Sequence, residues 1–215
     1  MSKRFAAAGL TTLALLALPA QAFEVYGQVG VPGAMVGVAQ PLNSHFTLRA
    51  DVNLLSDRTK ATTEEGIAYN GTLSTQRTAA FIDWFPFEGG FRFTLGASAN
   101  KYQLDLTASG AGGTLTIGNT QYTTTAADRF DVQIKFPKST PYFGVGWGHQ
   151  LAEGLRFSFD LGAMFGKATV TGKVSGPAAA YVTQADIDKE LLELRDGAAK
   201  VKAIPQITFA IGYSF

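Results

Sequence analysis

Seven ionisable residues, Glu24, Arg49, Asp51, Asp83, Arg92, Arg156 and Asp160, carry most of the chemistry this sequence offers. They fall in stretches where large apolar residues alternate with small or polar ones, as in "FTLRADVNL" (46–54), "FRFTLGASAN" (91–100) and "LRFSFDLGAM" (155–164). In a strand the polar phase forms one face. The pattern therefore predicts three positive and four negative side chains pointing into a shared interior. Unpaired charges there are costly, so they must pair or meet water. Two chemistries fit: an ion-pair plug, or a narrow polar path that selects small zwitterionic or cationic solutes.

Catalysis and metal binding find less support. The chain has two histidines and no cysteine. His45 falls in a short turn and His149 near the end of a strand, so both are expected to be interfacial or structural, and no metal or cofactor site is predicted. An enzyme acting on outer-leaflet lipid would need a polar cluster facing lipid near the outer rim, and the pattern holds none. "GVGWG" (144–148) lacks the lysine and the strand-to-helix context of a phosphate loop. Its glycines instead make room for bulky residues across an interior. "NGT" (70–72) reads as a turn.

The elements that must position these charges begin after a leader. Lys3 and Arg4, the apolar run "FAAAGLTTLALLAL" and Ala20-Gln21-Ala22 predict a secretory signal peptide over 1–22. The remaining 23–215 make one domain with 16 basic and 17 acidic residues. That balance excludes the basic face a nucleic-acid partner requires. No apolar stretch of the mature chain is long enough for a transmembrane helix, while glycine (24) and aromatic residues (12%) are abundant.

Period-2 alternation recurs in "AFIDWFPF", "YFGVGWG" and "ITFAIGYSF" (207–215). The polar phase is mostly Gly, Ser, Ala and Thr, not the Lys and Glu of a soluble sheet. An unbroken apolar face with small residues and charges opposite it suits a barrel in lipid. Eight strands are predicted, at about 23–31, 34–42, 46–55, 75–86, 91–107, 128–150, 155–172 and 204–215. Short turns at 41–45, 87–90 and 151–154 alternate with hydrophilic stretches at 56–74, 108–127 and 172–203. The fold class is all-β: an eight-stranded antiparallel transmembrane β-barrel with long extracellular loops, one containing a short helix.

The helix is expected over 183–197. Thr183 caps it and Ile187, Leu191 and Leu194 share a face, which suits either packing over the barrel mouth or gating it. The alternation slips after Asn100 and across "FPKSTP" (136–141), where bulges or strands continuing above the membrane would account for it. Trp147, Tyr213 and Phe215 are expected in the periplasmic aromatic girdle. The terminal alternation ending on Phe215 also resembles the signal by which barrel-assembly machinery recognises its substrates.

The segments "VPGAMVGVAQPL", "FTLRADVNLL", "FRFTLGASANKYQLDL", "TPYFGVGWGHQL", "FSFDLGAMFGKATVTG", "IDKELLELRD" and "IPQITFAIGYSF" occur in the order seen in the CarO family, which this sequence resembles. These are small outer-membrane proteins of Gram-negative bacteria, associated with carbapenem susceptibility and proposed to take up ornithine and other small amino acids. The resemblance implies a monomeric eight-stranded barrel and supplies no catalytic residue. The sequence departs from the family at "FGKATV" (165–170), where many relatives carry Gly-x-Pro. The expected function is a narrow porin-like channel for small solutes such as amino acids. Its alternative is a closed structural barrel that stabilises the outer membrane or presents surface loops. Outer-membrane lipid, lipopolysaccharide and the assembly machinery are the expected partners.

Overall fold

The computed structural model describes residues 23–55, 57–64, 67–110, 113–150 and 152–215. The expected signal peptide lies outside them. The alternating stretches form β1 (Glu24–Val31), β2 (Ala34–Pro41) and β3 (Phe46–Asn53). After these come β4 (Arg58–Glu64), β5 (Ile67–Trp84), β6 (Phe91–Ser109), β7 (Thr114–Ile117) and β8 (Thr120–Thr123). The chain continues through β9 (Arg129–Lys135), β10 (Ser139–Trp147), β11 (Gly154–Phe165) and β12 (Thr169–Ser175). It ends with helix α1 (Gln184–Ala198) and β13 (Ala203–Ser214).

Eight of these strands close into a ring in the order β1, β2, β3, β5, β6, β10, β11, β13, every neighbour antiparallel. Closure is made by β1 on β13, with Glu24 opposite Ser214 and Val31 opposite Ile207. A closed ring leaves no unpaired backbone edge for lipid to meet. Outward positions carry the apolar set, including Val29, Leu48, Leu95, Phe157, Phe209 and Ile211, all exposed on the outer wall. An aromatic band rings the short-turn end: Trp84 stacks on Phe93 at 5.7 Å, and Phe215 lies 5.7 Å from Phe23 and 5.0 Å from Tyr213. In outer-membrane barrels the end with short turns faces the periplasm.

The opposite end departs from the expected strand list. β5 and β6, at 18 and 19 residues, far exceed the roughly 9–11 residues needed to cross a bilayer. Their upper halves pair with each other from Ala68–Ser109 downward, β4 adds to β5, and β9 and β12 add beyond β6. The result is a five-stranded crown above the barrel. The stretches 56–74 and 108–127, expected as loops, thus hold strands, and β7 and β8 form a separate hairpin. Their sequences are rich in threonine, which favours extended backbone but gives no strong apolar alternation.

The expected single strand at 128–150 is broken at Phe136–Lys138, because Pro137 has no N–H to give a ladder. The two pieces still lie end to end on β6, with Lys135 opposite Gln103 and Ser139 opposite Ala99. The Phe136 amide donates to the Tyr102 carbonyl at 2.9 Å, and the Asn100 amide donates to the Lys138 carbonyl at 2.8 Å. The strand expected at 155–172 is likewise interrupted between Phe165 and Thr169.

The slip after Asn100 is not a change of facing. On β6 the even-numbered residues Arg92, Thr94, Ser98, Asn100 and Tyr102 are buried without a break in phase, and Ala108 is buried again near the top, although Leu106 between them is exposed. What changes is the environment outside. Within the membrane the outer wall is apolar and the interior polar. Above it, water wets Lys101, so the interior takes the apolar side chains. Ala108, Leu115, Tyr122, Phe130, Val132, Val170 and Leu191 form a core there, as in a soluble protein.

Helix α1 covers that core. Leu191 is buried, and Ile187, Leu194 and Ala198 pack beside it. Thr183 caps it as expected, its hydroxyl accepting from the Asp186 amide at 3.2 Å. Gly118, at φ +59°, lets the β7–β8 turn abut the Asp186 backbone, where a Cβ would collide. The Asp186 carboxylate accepts from the Tyr122 hydroxyl at 2.5 Å and the Thr120 hydroxyl at 3.0 Å. The Tyr122 hydroxyl, then that of Thr183, hold the Asp186 carboxyl below its ordinary value. A lowered carboxyl pKa contributes stability above the unfolded value that is lost as pH falls through the folded one. Acidification through and below the ordinary carboxylate range is therefore expected to undock the helix before the barrel unfolds. Amide exchange of residues 184–198 against that of 207–213, followed from neutral pH downward, measures this. Equal protection loss in both segments would contradict it.

Candidate functional site

The ring aims one residue in two inward, and within the membrane these side chains fill the lumen in three polar layers. In the middle layer Arg49 and Arg92 meet Asp83 and Asp160. Arg49 Nε donates to Asp83 Oδ2 at 2.5 Å, and its Nη2 reaches Asp83 Oδ1 at 3.2 Å and Asp160 Oδ1 at 3.1 Å. Arg92 Nη2 donates to Asp160 Oδ1 at 2.6 Å and Nη1 to the Gly148 carbonyl at 3.0 Å. Its Nε lies 3.3 Å from Asp83 Oδ2, an ion-pair distance that lacks hydrogen-bond alignment. Thr94 completes the layer, donating to Asp83 Oδ1 at 2.6 Å.

Gly146 creates the space for it. A Cβ there would stand 2.8 Å from the Arg92 guanidinium carbon and 2.6 Å from the Phe159 carbonyl oxygen. The expectation that the 144–148 glycines admit bulky interior neighbours holds for this position.

The upper layer contains a charge not foreseen from the sequence. Arg77 donates to Asp51 Oδ1 and to Gln206 Oε1, each at 2.5 Å, and lies over the Phe81 ring. Gln28 donates to the other Asp51 oxygen at 2.8 Å and accepts from Thr208 at 3.2 Å. Arg77 escapes the sequence reading because its neighbours Gln76 and Thr78 are polar too, so no alternation marks its face. Burial without a carboxylate opposite would have been prohibitive, and Asp51 supplies that carboxylate.

The lower layer holds Glu24, His149 and Ser158. Glu24 Oε2 lies 2.9 Å from His149 Nδ1, and Ser158 Oγ 2.9 Å from His149 Nε2. The order Ser–His–carboxylate has the connectivity of a hydrolase triad. Here, however, the ring is 0% exposed, and Tyr26 packs on it with centroids 4.6 Å apart. No acyl group can approach Ser158 Oγ, so the three residues tie β1, β11 and the chain end of β10 together. His149 is thus structural, fully inside the barrel, and it is the partner of Glu24. Arg156 sits half-buried at this end, its charge acting on Glu24 across the mouth. His45, in the β2–β3 turn, stands 3.0 Å from Glu88 of the β5–β6 turn.

Of the sequence-predicted residues, Arg49, Asp83, Arg92 and Asp160 form one network, Asp51 belongs to the layer above, and Glu24 and Arg156 lie below. Trp147, Tyr213 and Phe215 lie outside the lumen, exposed at the short-turn end.

No protein-family model matches the chain, and no curated protein matches it significantly. Among solved structures, CarO of Acinetobacter baumannii superposes with TM-score 0.56 at 17% identity, covering 89% of this chain and 97% of that one. CarO2 of the same organism gives TM-score 0.58 at 17% identity, covering 91% and 99%. The likeness lies in the fold: this chain is an eight-stranded β-barrel of the outer-membrane type, with the architecture of CarO.

Proposed function

We propose that the protein is a closed outer-membrane barrel whose lumen is sealed by its own ion pairs and whose crown is the part offered to the outside. The observation that carries this is the pairing of Arg49, Arg92, Asp83 and Asp160 in one buried layer, with Arg77 and Asp51 stacked above. An eight-stranded barrel has an interior only wide enough for side chains, and these fill it. The apolar wall and the aromatic band suit lipid, the crown suits contact with lipopolysaccharide, and the strand ending on Phe215 suits recognition by the assembly machinery.

Planar-bilayer conductance and liposome swelling test the seal. The native protein is expected to show neither, whereas the double variant Arg92→Ala/Asp160→Ala, which removes one charge of each sign, is expected to leak small sugars and ions. Steady conductance by the native protein would overturn the closed reading.

A second reading, uptake of small amino-acid-like solutes, is favoured by the composition of the plug. A zwitterion presents the same ammonium and carboxylate groups that the plug pairs internally, so it could exchange with those pairs one layer at a time. Saturable swelling in glycine or ornithine, absent with a neutral sugar of equal size, would support it. If Arg92→Ala and Asp160→Ala each leave amino-acid flux unchanged while lowering the melting temperature, the charges serve stability alone.

A further inference from the structure

Directly above the upper charge layer the lumen turns apolar and widens into a cavity of about 650 Å³. It lies between the barrel rim and α1, walled by Leu73, Leu104, Ile134 and Phe136 and roofed by Leu194 and Val201. This size and lining belong to a site for a small organic molecule. Four polar residues, Thr75, Gln103, Tyr102 and Glu193, break the apolar wall, and the last two matter most. The Tyr102 side chain lines the cavity and is 7% exposed, and its hydroxyl has no hydrogen-bond partner among the described residues. A buried hydroxyl left unpaired costs free energy that a ligand atom would recover. Glu193 is the one ionisable carboxylate in the lining, and it makes no ion pair among the described residues. Lys200 and Lys202 flank Val201 but do not line the cavity.

We propose that this vestibule binds a hydrophobic amine: a compact apolar body in the cavity, an ammonium at Glu193, and a hydrogen-bonding atom at the inner end against Tyr102. The negative lining disfavours the carboxylate analogue of the same body. The site does not depend on whether the plug beneath it conducts.

The test uses the full mature chain in lipid nanodiscs, with binding read by saturation-transfer NMR and the signal of protein-free nanodiscs subtracted. The probes are 4-phenylbutylamine, 4-phenylbutyrate as its anionic counterpart, and 4-(4-aminobutyl)phenol. The amine is expected to bind saturably, and the acid about tenfold more weakly. Glu193→Gln, at an exposed position that leaves folding intact, is expected to abolish that difference. The phenol is expected to gain over the plain amine in the native protein but not in Tyr102→Phe. Leu194→Trp, which fills the roof, is expected to remove binding while the barrel keeps its heat-modifiable mobility on gels. The proposal is overturned if the native signal equals that of empty nanodiscs, if acid and amine bind alike, or if Leu194→Trp binds as the native chain does.

Discussion

Asp160→Ala is expected to destabilise the barrel by about 3–5 kcal/mol, the cost of leaving buried charges without their partner. Asp160 Oδ1 is shared between Arg49 at 3.1 Å and Arg92 at 2.6 Å, so one truncation strips both guanidiniums at once. Arg49 retains its two contacts to Asp83, while Arg92 keeps only the Gly148 carbonyl and a misaligned Asp83. Arg92→Ala/Asp160→Ala should therefore cost less than the sum of the single variants, since it leaves a neutral Arg49–Asp83 pair. Urea unfolding in lipid vesicles, followed through Trp84 and Trp147, measures all three. A single variant that unfolds with the native protein would show that the layer contributes nothing to stability.

Phe209→Arg is expected to cost about 2–4 kcal/mol, the penalty for a cation at mid-height on a lipid-facing wall. Phe209 is 63% exposed on β13, and its one aromatic contact among the described residues is the Phe159 ring at 5.0 Å, so little packing is lost with it. The crown supplies the control. Gln121→Arg, exposed on β8 above the barrel, is expected to change stability by no more than about 0.5 kcal/mol. Measured in vesicles, the gap between the two positions reports the membrane boundary. Equal effects at Phe209 and Gln121 would place both in water.

Much of the barrel was legible because a membrane strand repeats every two residues, and that period runs through most of the length of the ring strands. The Thr183 cap and the apolar face of α1 were legible for the same reason: their signals are local. Arg77 was not, because a charge flanked by Gln76 and Thr78 has no apolar phase to assign it a face. The apparent slip after Asn100 misled in a different way. Tyr102 keeps the buried phase of Arg92 and Ser98, and only the solvent outside the wall has changed.

By itself, the sequence determined the strand period and the closed ring that an apolar outer face demands, and it marked the inward phase on which most of the lumen charges, though not Arg77, lie. Those are properties of neighbours along the chain and of backbone that lipid cannot hydrate. The tertiary structure alone decided who pairs with whom: Glu24 with His149 across 125 positions, Arg49 with Asp160 across 111, Arg77 with Asp51 across 26. It also decided that β9 leaves the ring for the crown and that an apolar chamber sits on the polar plug. Register between distant strands sets each of these, and register is fixed by the whole ring closing, not by any one strand's residues.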